Sequence, residues 1–154
     1  MPNPSLRFAL LAVAGLAFGG SACGPSTPAA TPDQVAQTDR AAVEAALQGA
    51  TWQLVSWRPD EQLEAMFETL LVQQYATMLI HFKDGRLLAD SGTVHVNRAY
   101  VISNVVGNQF TLVTTDDGGT SLRTNAQIAA DGNSIDFRGT SDPWRGEGKL
   151  RKTQ

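Results

Sequence analysis

Cysteine is nearly missing from this chain: Cys23 is the single one among 154 residues, so no internal disulfide can brace the fold. Histidine is almost as scarce, with only His81 and His95, and no cysteine lies near either to complete a zinc set. No Gly-x-Ser-x-Gly turn is present to expose a serine nucleophile. Asp84, Asp116, Asp117 and Asp131 stand in glycine-rich turns, where a carboxylate serves its own backbone before it serves chemistry. No long run of basic residues is present, and a nucleic-acid partner needs a Lys/Arg stripe to neutralise phosphates. These gaps speak against nucleic-acid binding, and they leave no pattern expected of a metal, a cofactor or an enzyme.

The first residues are organised in three parts. Met1 to Arg7 carries one positive charge, Phe8 to Phe18 is apolar throughout, and Gly19 to Ala22 is small. That is the layout of a secretory signal peptide, expected over residues 1–22. Its apolar part is about half of the roughly 20 residues that span a bilayer, so a permanent span is not expected. Removing it takes away Arg7 and moves the net charge from −3 to −4.

Ser21-Ala22-Cys23 resembles the lipobox of bacterial lipoproteins, although Gly20 stands where that family usually has an aliphatic residue. The resemblance implies diacylglycerol on Cys23, further acyl chains such as palmitate, and stable tethering without a protein span. With Gly24 rather than Asp next in line, it also implies the outer membrane, facing the periplasm. Gly20-Ser21-Ala22 suits ordinary signal peptidase as well, and a secreted protein is then the alternative. Residues 23–40, rich in Pro, Ala, Ser and Thr, are expected to be a flexible tether, followed by one domain over 41–154.

Asp39 to Gln48 suggests a short helix that turns Val43, Ala46 and Leu47 inward. Thr51 to Trp57 suggests a strand, with Trp52 and Leu54 on one face and Val55 and Trp57 on the other. Asp60 to Gln74 is the clearest helical pattern: Leu63, Met66, Phe67, Leu70 and Leu71 recur as one apolar stripe. Its acidic residues Asp60, Glu64 and Glu68 share a face with no compensating cation. From Ala76 onward, short alternating segments are separated by turn signals such as Asp84-Gly85, Gly107-Asn108 and Asp131-Gly132. The fold class expected is mainly β: an antiparallel up-and-down barrel of about eight strands, with one amphipathic helix inserted after the first.

Gly49-Ala50-Thr51-Trp52 and the closing stretch Gly146 to Arg151 resemble the opening and end of a lipocalin-like barrel. TWQLVSW also resembles the start of META-type domains of bacterial lipoproteins. The lipocalin resemblance implies that Arg151 packs over Trp52 and that the barrel holds a small apolar ligand. Alternation turns Trp52, Met78, Phe82, Phe110 and Phe137 inward, and these are the candidate ligand cavity. No arginine or lysine is placed inward by that reading, which favours a neutral apolar molecule over a fatty acid. The alternative is a filled barrel acting by surface contact, as a scaffold or inhibitor of a periplasmic protein.

Overall fold

The computed structural model describes residues 31–92, 94–142 and 144–153. Cys23, the expected signal peptide and the first part of the expected tether lie outside the described residues. The element order is α1 (Pro32–Gln48), β1 (Thr51–Pro59), α2 (Ala65–Tyr75), β2 (Leu79–Lys83), β3 (Arg86–Asp90), β4 (His95–Val106), β5 (Gln109–Thr115), β6 (Ser121–Ile128), β7 (Ser134–Gly139) and β8 (Gly146–Lys152). Each strand pairs antiparallel with its sequence neighbours, and β1 pairs with β8, so the sheet closes into an eight-stranded barrel. Closure leaves no sheet edge open to other chains.

Helix α1 begins seven residues before the expected Asp39. Thr31 accepts from the Gln34 amide at 3.4 Å while the Gln34 side chain accepts from the Thr31 amide at 2.9 Å, and Pro32 fills the first helical position. This reciprocal cap satisfies two orphan amides, and the proline gives up a donor that the helix does not need there. Residues 32–40 are therefore helix, not tether. Val43 and Leu47 bury the inner face of α1, with Leu47 fully enclosed, and Ala46 packs beside them.

The hairpin turns follow the glycine signals. Asp84 and Gly85 both have positive φ between β2 and β3, the backbone that a tight two-residue hairpin turn demands. Alternation then sorts the strands: Ile80 and Phe82, Phe110 and Leu112, and Ile135 are buried, while His81, Lys83 and Asp136 stay out. Burying each large apolar side chain contributes about 2 kcal/mol.

In β1 the register shifts between Leu54 and Ser56. Val55 is the extra residue of a bulge and is exposed. The bulge inverts the alternation, so Trp57 joins Trp52 and Leu54 inside the barrel instead of taking the opposite face.

Helix α2 is shorter than the pattern Asp60 to Gln74 and starts at Ala65. Its inward contacts are Tyr75, which is buried, and Leu71 one turn earlier. Most of the expected stripe is turned to solvent: Met66, Phe67 and Leu70 are all more than half exposed, as is Val72, while Leu71 alone of its helical members packs on the core. Tyr75 decides this orientation, because its ring meets Trp57 at 5.6 Å and Trp144 at 6.0 Å between centroids. Asp60 does not share a face with Glu64 and Glu68. It lies outside the helix and accepts from Arg138 at 3.0 Å.

Candidate functional site

In an up-and-down barrel, the connections β1–β2, β3–β4, β5–β6 and β7–β8 lie at one end, and the other three lie at the opposite end. Leu47 at the close of α1 meets the start of β1 and stops the second end; the Trp52 indole Nε1 donates to the Leu47 carbonyl at 3.2 Å. At the first end, Tyr75 from the β1–β2 connection and Trp144 from the β7–β8 connection flank Trp57. The Trp57 and Trp144 rings stand edge to face, 5.5 Å apart.

Between plug and rim lies a cavity of about 220 Å³, lined mainly by carbon. A row of inward residues forms one wall: Trp57 on β1 pairs with Gly148 on β8, Gly148 with Phe137 on β7, Phe137 with Ala126 on β6, and Ala126 with Phe110 on β5. Large and small side chains alternate along it. This is how a closed sheet accommodates aromatic rings without overfilling its interior. Gly148 is essential to the row, because a Cβ there would stand 2.3 Å from Phe137 Cζ and 2.7 Å from the Ser56 carbonyl oxygen.

Of the residues that alternation nominated, Met78, Phe82, Phe110 and Phe137 line this cavity. Trp52 does not. It is wholly buried one layer deeper, against the α1 plug. Trp57, Trp144 and Leu47 also line it and were not nominated. The signal for Trp57 was its size and its place in strand one; the bulge that turns it inward has no signature in the sequence.

An inward arginine is present after all. Arg98 lines the cavity, two residues beyond Val96 on the same face of β4, so parity alone could have placed it. Its side chain is 16% exposed. Nε donates to Thr114 Oγ1 at 3.2 Å, one terminal nitrogen donates to Asp116 at 3.2 Å, and the other donates to the Thr120 carbonyl. Asp116 thus offsets the charge, and the cavity stays close to neutral.

Arg151 does not cover Trp52. It pairs with Gln53, one residue along, and is exposed on the outer face, which takes its side chain away from the buried Trp52 ring. A wider groove of about 850 Å³ runs over the outside of the barrel between β5 and β1. Its charges pair among themselves: Arg138 bridges Asp60 and Glu147, Arg58 meets Glu147, and Lys149 meets Asp136. The pairs are exposed and each contributes about 0.5 kcal/mol.

His81 and His95 are both exposed. His81 Nδ1 is 3.2 Å from the Thr51 hydroxyl, and His95 Nδ1 is 2.9 Å from Asp90. Asp90 also accepts from the Gly92 amide at 2.7 Å, and that backbone bond, helped by His95, holds its carboxyl below the usual range. Among the described residues, no three His, Cys, Asp or Glu side chains gather as a metal set. No described helix is long and apolar enough to cross a membrane. Comparison with protein-family models, curated proteins and solved structures finds no match to this chain.

Proposed function

We propose that the mature protein is a lipid-tethered, lipocalin-like binding protein of the bacterial cell envelope that takes a small apolar ligand and performs no catalysis. One observation carries this reading. The closed barrel keeps about 220 Å³ between its plug and its rim, walled by aromatic and aliphatic side chains. An apolar cavity of about 150 Å³ holds benzene in a folded protein, so this one accommodates a molecule of somewhat larger size. Eight strands is the number at which a barrel either fills itself or retains room for one small ligand.

Trp57 and Trp144 line the cavity, and occupancy therefore changes their emission. Titrating the purified protein with a panel of single-ring and two-ring hydrocarbons shifts that emission saturably. Flat responses across the panel would sink the ligand reading. Tethering through Cys23 is tested separately by growing cells with radioactive palmitate: wild type incorporates label and Cys23→Ser does not. An unlabelled wild type removes the anchor and leaves a secreted protein.

A second reading rests on α2, whose Met66, Phe67 and Leu70 share one side of the helix and are exposed at the rim end. Such a patch suits contact with another envelope protein, with the cavity serving only as packing slack. A stoichiometric partner that is captured by Cys23→Ser protein and lost on Phe67→Gln would favour surface contact over ligand carriage.

A further inference from the structure

Besides the two indoles, Arg98 on β4, Thr114 on β5 and Thr124 on β6 bring polar side-chain atoms to the carbon wall of the cavity. Two of these are engaged with each other, since Arg98 Nε donates to the Thr114 hydroxyl at 3.2 Å. The terminal nitrogens of Arg98 donate to Asp116 and to the Thr120 carbonyl, and Asp116 offsets the charge. The Thr124 hydroxyl has no hydrogen-bond partner among the described residues.

The place of Thr124 in the sheet opens that hydroxyl to the cavity. Its neighbours are Leu112 on β5 and Gly139 on β7, so the strand is paired on both sides. It shares the inward face of β6 with Leu122, Ala126 and Ile128. The residue is only part-buried, and an inward side chain of a closed sheet owes its exposure to the interior and its mouth. Among the described residues, the unpartnered polar side-chain atoms that are fully enclosed are the Trp57 indole nitrogen and the Ser91 hydroxyl. The Thr124 oxygen is not one of them and keeps open surface.

A pure hydrocarbon seated in the cavity would cover this hydroxyl and leave it unpaired, at the full cost of its desolvation. An alcohol restores one bond, yet of the two hydroxyl protons then present only one is used between them. A carbonyl accepts the threonine proton and brings none of its own. A carboxylate would lose far more hydration on entry and find its cation already matched by Asp116.

Resting on the ligand-binding reading, we propose that the barrel selects compact neutral molecules with an apolar body and one carbonyl oxygen, received by the Thr124 hydroxyl. The apolar body runs from β6 toward Phe110, Phe82 and the Leu47 plug.

Acetophenone and α-methylstyrene test this, because they share a shape and differ by a carbonyl oxygen in place of a methylene. Affinities for both are measured by calorimetry on wild type and Thr124→Val, which exchanges the hydroxyl for a methyl and keeps a β-branched side chain suited to a strand. The substitution is expected to weaken acetophenone about tenfold, the size of one net hydrogen bond, while α-methylstyrene binds as well or better. Thr124→Ser, which retains the hydroxyl, keeps the wild-type preference. In wild type, nuclear Overhauser contacts join the Thr124 methyl to the acetyl group of acetophenone, a reading that does not depend on any variant folding. Equal changes for the two probes, or an acetyl group in contact only with residues away from Thr124, overturn the proposal while the cavity stands. A selective loss of acetophenone on Trp144→Phe with none on Thr124→Val also overturns it, moving the carbonyl to the indole at the rim. Benzoate binding more tightly than acetophenone does the same, making Arg98 the receiving group. If neither neutral probe binds wild type, the ligand-binding reading falls together with this one.

Discussion

The indole of Trp52 donates to the Leu47 carbonyl at 3.2 Å, which ties the first strand of the barrel to the last turn of the helix that plugs it. That carbonyl is among the last four of α1, which no intrahelical amide can satisfy. One side chain therefore fills the floor of the core and caps a helix. Trp52→Phe keeps most of the apolar contact and strands a buried acceptor. It is expected to cost about 2 kcal/mol in urea unfolding, with an unchanged m-value and faster amide exchange in α1. A loss within experimental error would show that the plug is held by Val43 and Leu47 packing alone.

The outward turn of α2 makes Leu70 a surface residue at 56% exposure. Leu70→Gln, which preserves helix propensity, is expected to change stability by less than about 0.5 kcal/mol. Were the stripe buried as its periodicity suggests, the same change would cost several times more. Chemical denaturation separates the two outcomes.

Burial among aromatic rings pushes the Tyr75 hydroxyl above its ordinary value of 10.0. The neutral form is favoured by folding, so the contribution of Tyr75 is fully present below pH 10 and disappears as pH rises through its folded-state value. Stability is expected to fall on the alkaline side, and Tyr75→Phe should flatten that fall. Absorbance at the phenolate band follows the titration, and a Tyr75 midpoint at or below 10 would contradict the burial argument.

Gly148→Ala places a methyl group where Phe137 and the Ser56 carbonyl already stand. The ring can swing away, but the carbonyl belongs to a paired strand and cannot yield without bending β1. Destabilisation of about 1–3 kcal/mol is expected, with altered near-ultraviolet circular dichroism from Trp57 as Phe137 leaves its place. Unchanged stability and spectrum would mean that the alternating wall is looser than its register implies.

How much of this was legible beforehand differs by element. The strands around Ile80, Phe110 and Ile135 announce themselves through period-two alternation between glycine turns, and so does the mainly β barrel they build. Thr31-Pro32 and Gln34 also spelled out a helix start, yet the low apolar content of their surroundings reads as tether. Composition outweighed a local capping signal that was correct.

What the sequence settled by itself was whatever depends on near neighbours along the chain: the turns, the alternation and the number of strands. Those are fixed by φ/ψ preferences and by which residues point the same way two positions apart. The bulge at Val55, the inward Trp57 and the outward turn of α2 were decided by the tertiary structure. Each depends on what a distant strand or loop offers, Gly148 opposite Trp57 or Trp144 beside Tyr75, and one-dimensional periodicity holds no record of partners almost a hundred residues away.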